Sequence, residues 1–257
     1  NVVISNCVGN HKVTGVRLYG GEIRNSLICA NKGNDQDEAS GVDAQGGIVR
    51  NCTIRGNSSP GCAVKVQAAS AKVVDCQIIS NTGGDTNGGG LKLTNGLVEN
   101  CIISNCVAAV GAGVTRVQLV RSRVLANRAT NYGSGAYHAC LYGSFFAGNI
   151  GAGVIDHSAD VVGCTVAADN LTAAGAIATA LQNEGKGAIV ANSLFCAPIS
   201  HTADANELTV SHCAYPDDST LTGALITITD CVETNVEALA IDWTGVPVVG
   251  SNAAIDK

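Results

Sequence analysis

The chain has no methionine, one tryptophan and three phenylalanines, and only 14% of its 257 residues are charged. No apolar run reaches the roughly 18 residues that a membrane-spanning helix needs. A net charge of −6 without any basic tract makes nucleic acid and anionic membrane surfaces poor partners. Among twelve cysteines there is no CxxC pair, and the Cys101/Cys106 spacing is not that of a zinc knuckle. With so few aromatic rings and 46% hydrophobic content, the interior must be filled by Val, Ile, Ala and other small side chains. The absent methionine, and a first segment NVVISNCV that already fits a repeat, make the chain read as a piece of something longer.

What the chain has is periodicity. Gly88–Asn105, GGGLKLTNGLVENCIISN, sets the pattern, and with Cys101 as position zero eleven copies fall in phase. They centre on Cys7, Ser26, Cys52, Cys76, Cys101, Ser122, Ser144, Cys164, Ser193, Cys213 and Cys231. Sustained repetition at this length is the mark of a solenoid whose units bury their apolar faces only against their neighbours. Position −3 is always aliphatic, from Ile4 and Ile23 through Val49, Val73 and Val98 to Ile228. Position zero is Cys or Ser, which suits a tight interior slot, and position +2 is mostly apolar, so zero and +2 read as a half-buried strand.

A spacing of three breaks strand parity and demands a bend. Position −1 supplies it with Asn25, Asn51, Asn100, Asn192, Asp75, Asp230, Gly143 and Gly163, all tolerant of a left-handed backbone. Asn31, Asn57, Asn81, Asn127 and Asn149 recur at +5, where stacked amides can bond from coil to coil. Gly-rich bends such as Gly88-Gly89-Gly90 and Gly133-Ser134-Gly135 lead into further short strands, not helices, so they are not phosphate loops. In the Ala-rich run from Thr172 to Gly187 a helix is possible, but Gly175 and the G-A-I-A pattern fit another bend and strand. The cysteines at position zero read as free, stacked, buried thiols, with a few disulfides as the lesser alternative.

The pattern Val49-Arg50-Asn51-Cys52-Thr53-Ile54-Arg55-Gly56-Asn57, followed by a GGG-aliphatic bend, resembles the right-handed parallel β-helix repeat proteins. These form the pectin-lyase-like superfold, which includes bacterial surface proteins with polymorphic-outer-membrane-type repeats. Ala191-Asn192-Ser193-Leu194-Phe195-Cys196 is similar to the family's late N-S-I-F coil, and 250–257 to its closing S-P-A-I-D-A-G, with Asn252 in place of Pro. The resemblance implies an all-β fold, a single right-handed parallel β-helix solenoid of about eleven coils over 1–232, with 233–257 as a tail covering or leaving the last coil. It also implies an extracellular or cell-surface setting. Lyases, hydrolases, epimerases and adhesins all share such a fold, so it decides little about function.

Val154-Ile155-Asp156-His157-Ser158 is similar to the W-I-D-H-C/S stretch of pectate lyases, but Val154 replaces Trp and the R-x-P-x-x-R element is absent. Strand parity after the glycine bends predicts an outward column of Arg17, Asp43, Lys65, Lys92, Thr115, Tyr137 and Ile155, flanked by Tyr19, Gln45, Gln67, Thr94 and His157. Arg17, Tyr19, Asp43, Lys65, Lys92, Tyr137 and His157 are thus the candidate ligand-binding residues, and their mixture suits a polysaccharide or other cell-surface component. Asp35, Asp37 and Glu38, in the acidic loop 31–47, are a weak candidate for Ca²⁺, though their spacing fits no EF-hand. The expected function is a secreted or surface-displayed module of the adhesin or scaffold type that contacts glycans by its lateral face. A polysaccharide lyase or glycoside hydrolase is the alternative, with catalytic residues unassigned; a spacer that binds nothing is the third.

Overall fold

Short strands separated by left-handed corners force the backbone to turn the same way at every repeat, and the computed structural model shows the outcome. It describes residues 1–9, 13–84, 88–93, 95–158, 160–167, 169–175, 179–184, 188–197, 199–202, 207–216 and 226–234. All named elements are strands, every pairing is parallel, and the strands stack into three long sheets of eleven, nine and ten strands. Each coil passes in turn through the nine-stranded sheet (as at Cys62–Val66), the ten-stranded sheet (Lys72–Val74) and the eleven-stranded sheet (Gln77–Ile79). The nine-stranded sheet makes eight complete revolutions, so the solenoid has fewer full turns than the eleven coils predicted. One core cluster runs through its axis, with Val49, Ile54, Val73, Ile103, Leu119, Phe146 and Phe195 fully enclosed. Among the described residues no helix is long and apolar enough to cross a membrane.

Position −1 adopts a left-handed conformation throughout, with φ from 45° at Arg121 to 63° at Gly163. Arg121 and His212 do so despite side chains that rarely favour it. A second corner follows at +4, where Ala30, Gly56, Ser80, Asn105, Ala126 and Gly148 also have positive φ. Residue type gives no warning of that corner at Ala30 or Ala126.

The +5 asparagines lie fully buried just beyond it. Asn57 Nδ2 donates to Asn81 Oδ1 at 3.2 Å and to the Ile28 carbonyl at 3.0 Å, while its own backbone N–H reaches Asn81 Oδ1 at 2.9 Å. Asn127 and Asn149 repeat the arrangement, and Asn170, which the repeat reading missed, extends it. The first copy is out of phase with the expectation. Ile4 pairs with Ile28, and the Cys7 N–H donates to Asn31 Oδ1, so Cys7 sits in the ladder column with Cys106 and not in the zero slot. The first strand offered two equally good apolar registers, and the ladder decided between them.

The zero slot is a hydrogen-bonding position. Cys52, Cys76 and Cys101 each donate Sγ–H to the carbonyl two residues earlier at 3.2 Å, as Ser122 and Ser144 do with Oγ at 2.8 and 3.1 Å. The same atoms accept a backbone N–H from the coil before, as Ser122 Oγ does from Cys101. Cys and Ser exchange there because both are small and bring one donor. All twelve thiols are free. Residues 172–175 turn into a strand at Thr179–Glu184, so the Ala-rich run contains a bend and strand. Residues 235–257, including Trp243, lie outside the described residues, as does Thr94.

Asn57→Ala is expected to lower the unfolding free energy by about 3 kcal/mol, because it orphans the buried Ile28 carbonyl and Asn31 N–H of the preceding coil. Asn51→Gly, at an exposed corner, should change it by less than about 0.5 kcal/mol. Equal shifts in denaturant midpoint would remove the ladder's special role. Burial pushes the Cys62 and Cys213 thiols up to about 12, and Cys106 and Cys164 to about 11. The folded chain therefore keeps protons that the unfolded chain releases above about pH 8.5, and stability should fall as pH rises from there. A stability-versus-pH series checks this, and a flat profile up to pH 10 contradicts it.

Candidate lateral-face binding site

Strand registry places Arg17, Asp43, Lys65, Lys92, Thr115 and Tyr137 at successive levels of the nine-stranded sheet, one per coil, as parity predicted. The next member is Asp156, not Ile155. In the strand Gly153–Asp156 the glycine motif is offset by one residue from the level before it: the Gly135 N–H bonds the Val154 carbonyl and Ala136 pairs with Ile155, so Val154 and Ile155 both enter the core with no exposure. Parity counted from Gly153 therefore falls one residue early, and Asp156 takes the outward column. His157 follows it at a corner shared with Arg116 and His138, all three with positive φ.

The column divides into zones. At the first two levels Asp43 is completely enclosed although it points away from the core. Its Oδ2 accepts from Arg17 Nε at 2.9 Å and Gln45 Nε2 at 3.0 Å, and its Oδ1 from Gln67 Nε2 at 2.6 Å. The other end of the Arg17 fork bonds Glu38 at 2.8 Å. Burial works against the Arg17 charge, but Glu38 and Asp43 outweigh it and raise its pKa. Asp43 and Glu38 are thus spent on an internal clamp, and Tyr19 stands beside it, 72% exposed.

The Ca²⁺ candidates do not converge. Asp35 Oδ1 accepts the Asp37 N–H at 2.9 Å, Glu38 turns to Arg17, and Lys65 Nζ donates to the Asp37 carbonyl at 2.5 Å. Among the described residues no group of three or more His, Cys, Asp or Glu side chains is arranged to hold a metal ion.

The middle zone is cationic: Lys65 and Lys92 stand side by side, with Arg116 at the corner one level on. Burial, with Lys65 and Arg116 among the neighbouring charges, holds the Lys92 ammonium below its ordinary pKa. The third zone is aromatic. The Tyr137 ring lies 4.3 Å from His138 and 5.3 Å from His157, the two imidazoles stack at 5.2 Å, and Tyr132 closes the group 6.3 Å from Tyr137. Asp156, fully buried, contacts His157 Nδ1 through Oδ1 at 2.5 Å. Tyr132 and His138 were missed by parity counting: Tyr132 ends the separate strand Arg128–Tyr132, and His138 occupies a corner.

Arg17→Met should destabilise the protein by about 2 kcal/mol, because Asp43 stays buried with only amide donors. Added Ca²⁺ should leave the melting temperature of the unaltered chain unchanged. A clear Ca²⁺-dependent rise would restore the acidic loop as a cation site.

No family model, curated protein or solved structure matches this chain. The chain is a parallel β-solenoid with a graded polar and aromatic lateral face.

Proposed function

We propose that the protein is a secreted or surface-displayed module of a bacterial β-helix protein, of the adhesin or scaffold type within the pectin-lyase-like superfold, and that it contacts glycans along the nine-stranded sheet. The observation that carries this reading is the group of four rings, Tyr132, Tyr137, His138 and His157, with centroids 4.3 to 6.4 Å apart at the end of a polar column. Ring faces take the apolar faces of sugars, while the cations and amides of the preceding levels take hydroxyls and acidic substituents. Side chains repeating every ~4.8 Å along a straight sheet suit a linear polymer laid parallel to the solenoid axis. Burial of the zero-slot thiols is compatible with an extracellular setting, since shielded neutral thiols resist oxidation.

A glycoside hydrolase has less support. That chemistry needs two carboxyl groups within about 10 Å. Asp43 and Asp156 stand five levels apart, roughly 24 Å at the strand spacing, and Asp43 is locked by three donors.

Isothermal titration against neutral and acidic polysaccharides tests the proposal. Binding to at least one glycan is expected, and Tyr137→Ala should weaken it at least about fivefold, the equivalent of about 1 kcal/mol. Lys72→Ala, on a different sheet, should leave it unchanged. If no polysaccharide binds, or the tyrosine change has no effect, the lateral-face reading fails.

A further inference from the structure

At Asp156 and His157 a surface imidazole is held in one orientation by a carboxylate that has no solvent exposure, while the His157 side chain itself keeps 18% of its own. With the Nδ1 proton directed at Asp156 Oδ1, the ring's lone pair resides on Nε2, and the carboxylate fixes that tautomer and orientation. The Tyr137 and His138 rings, 5.3 and 5.2 Å from that of His157, bring further hydrogen-bonding groups to the same spot. A structural corner needs none of this: Arg116 makes the equivalent corner two levels away without a carboxylate beside it in the sequence.

We propose that Asp156, His157 and Tyr137 form a hydrolytic site for O-acyl esters carried by a glycan on the lateral face, with His157 as general base; the proposal rests on the glycan-contacting reading above. The other reactions fit less well. Glycosidic cleavage at this site would have to pair Asp156 with Asp43, five levels away. Eliminative cleavage next to a sugar carboxylate needs a cation at the level of the base, whereas Arg116 stands two levels and Lys92 three levels from His157. Ester hydrolysis needs only a base in the imidazole range, water, and a donor for the oxyanion.

In the proposed step the water oxygen bonds to the acyl carbon as His157 Nε2 takes the water proton. The carbonyl pair moves onto oxygen, which accepts a hydrogen bond from the Tyr137 hydroxyl. Collapse re-forms the carbonyl and breaks the bond to the sugar oxygen, which receives the proton from the His157 imidazolium. A carboxylic acid and a free sugar hydroxyl leave, His157 is neutral again, and Asp156 stays ionised throughout.

The experiment uses the full chain with acetylated xylan and acetylated mannan, measuring released acetate, beside binding of the same polymers after chemical deacetylation. Acetate release is expected, with His157→Gln lowering its rate at saturating polymer at least about 100-fold. Tyr137→Phe, which keeps the ring and is the least disruptive change, should lower release about tenfold or more. Binding without acetate release from the unaltered chain overturns the hydrolytic site alone, and so does release that survives His157→Gln. Absence of both binding and release removes the glycan-contacting reading with it.

Discussion

Hydrogen bonding between coils at the corners is the constraint on which this structure depends. Along the strands, backbone pairing satisfies each coil automatically, but a left-handed corner turns peptide groups out of the ladder and into the interior. A buried unpaired peptide group costs about 1–3 kcal/mol, and the cost recurs at every level. The protein meets it with side chains that imitate backbone: the asparagine amide at +5 accepts from one coil and donates to the next, and the zero-slot thiol or hydroxyl accepts from the coil before while donating to a carbonyl of its own. The repeat tolerates wide variation in loop length because these two positions keep the registry. Cys7 and Cys106 show how far the rule bends, since each donates its backbone N–H to its neighbour's amide oxygen without offering an amide of its own.

The corners also settle what faces outward. A strand between fixed corners has no freedom to slip, and the whole outward column follows from where each coil enters the nine-stranded sheet. The consequence is a face whose neighbours are imposed, not chosen. Lys65 beside Lys92 is unfavourable in isolation, and one coil earlier the same geometry places Asp43 between Arg17 and Lys65. Each zone then resolves its own electrostatics. The Arg17, Asp43, Gln45 and Gln67 group neutralises itself and becomes structural, whereas the cationic and aromatic levels keep polar groups at the surface.

Much of this was legible in the sequence, and the gaps have physical causes. The aliphatic −3 column, the −1 corners and most of the amide ladder follow from residue types that few environments accept, so counting found them. The second corner was invisible because Ala30 and Ala126 hold left-handed conformations imposed by the coil and not preferred by the residue. The first copy was misplaced by five residues because NVVISNCV satisfies the apolar pattern in two registers, and only the Cys7 contact with Asn31 separates them. Parity failed at Ile155 because it was counted from Gly153, which lies beside Ser134 and not beside Gly135, and that offset belongs to the two strands together. The same failure hid Asp156, the carboxylate that makes His157 more than a surface ring.

That coincidence bears on where function arises in a repeat fold. Regular coils display regular columns, and a column of one residue per level at ~4.8 Å spacing is well suited to holding a polymer but poorly suited to bringing three reactive groups together. Convergence needs a break in regularity. In this chain the break lies at Gly153–Asp156, where the glycine motif shifts by one residue against the neighbouring coil, Asp156 takes the outward column, and the following corner sets His157 against His138 and Tyr137. Tyr132 arrives from a different strand altogether. A solenoid stabilised one level at a time can accept such a local irregularity without disturbing distant coils, which is why the place where the repeat pattern fails is the place where its face becomes chemically specific.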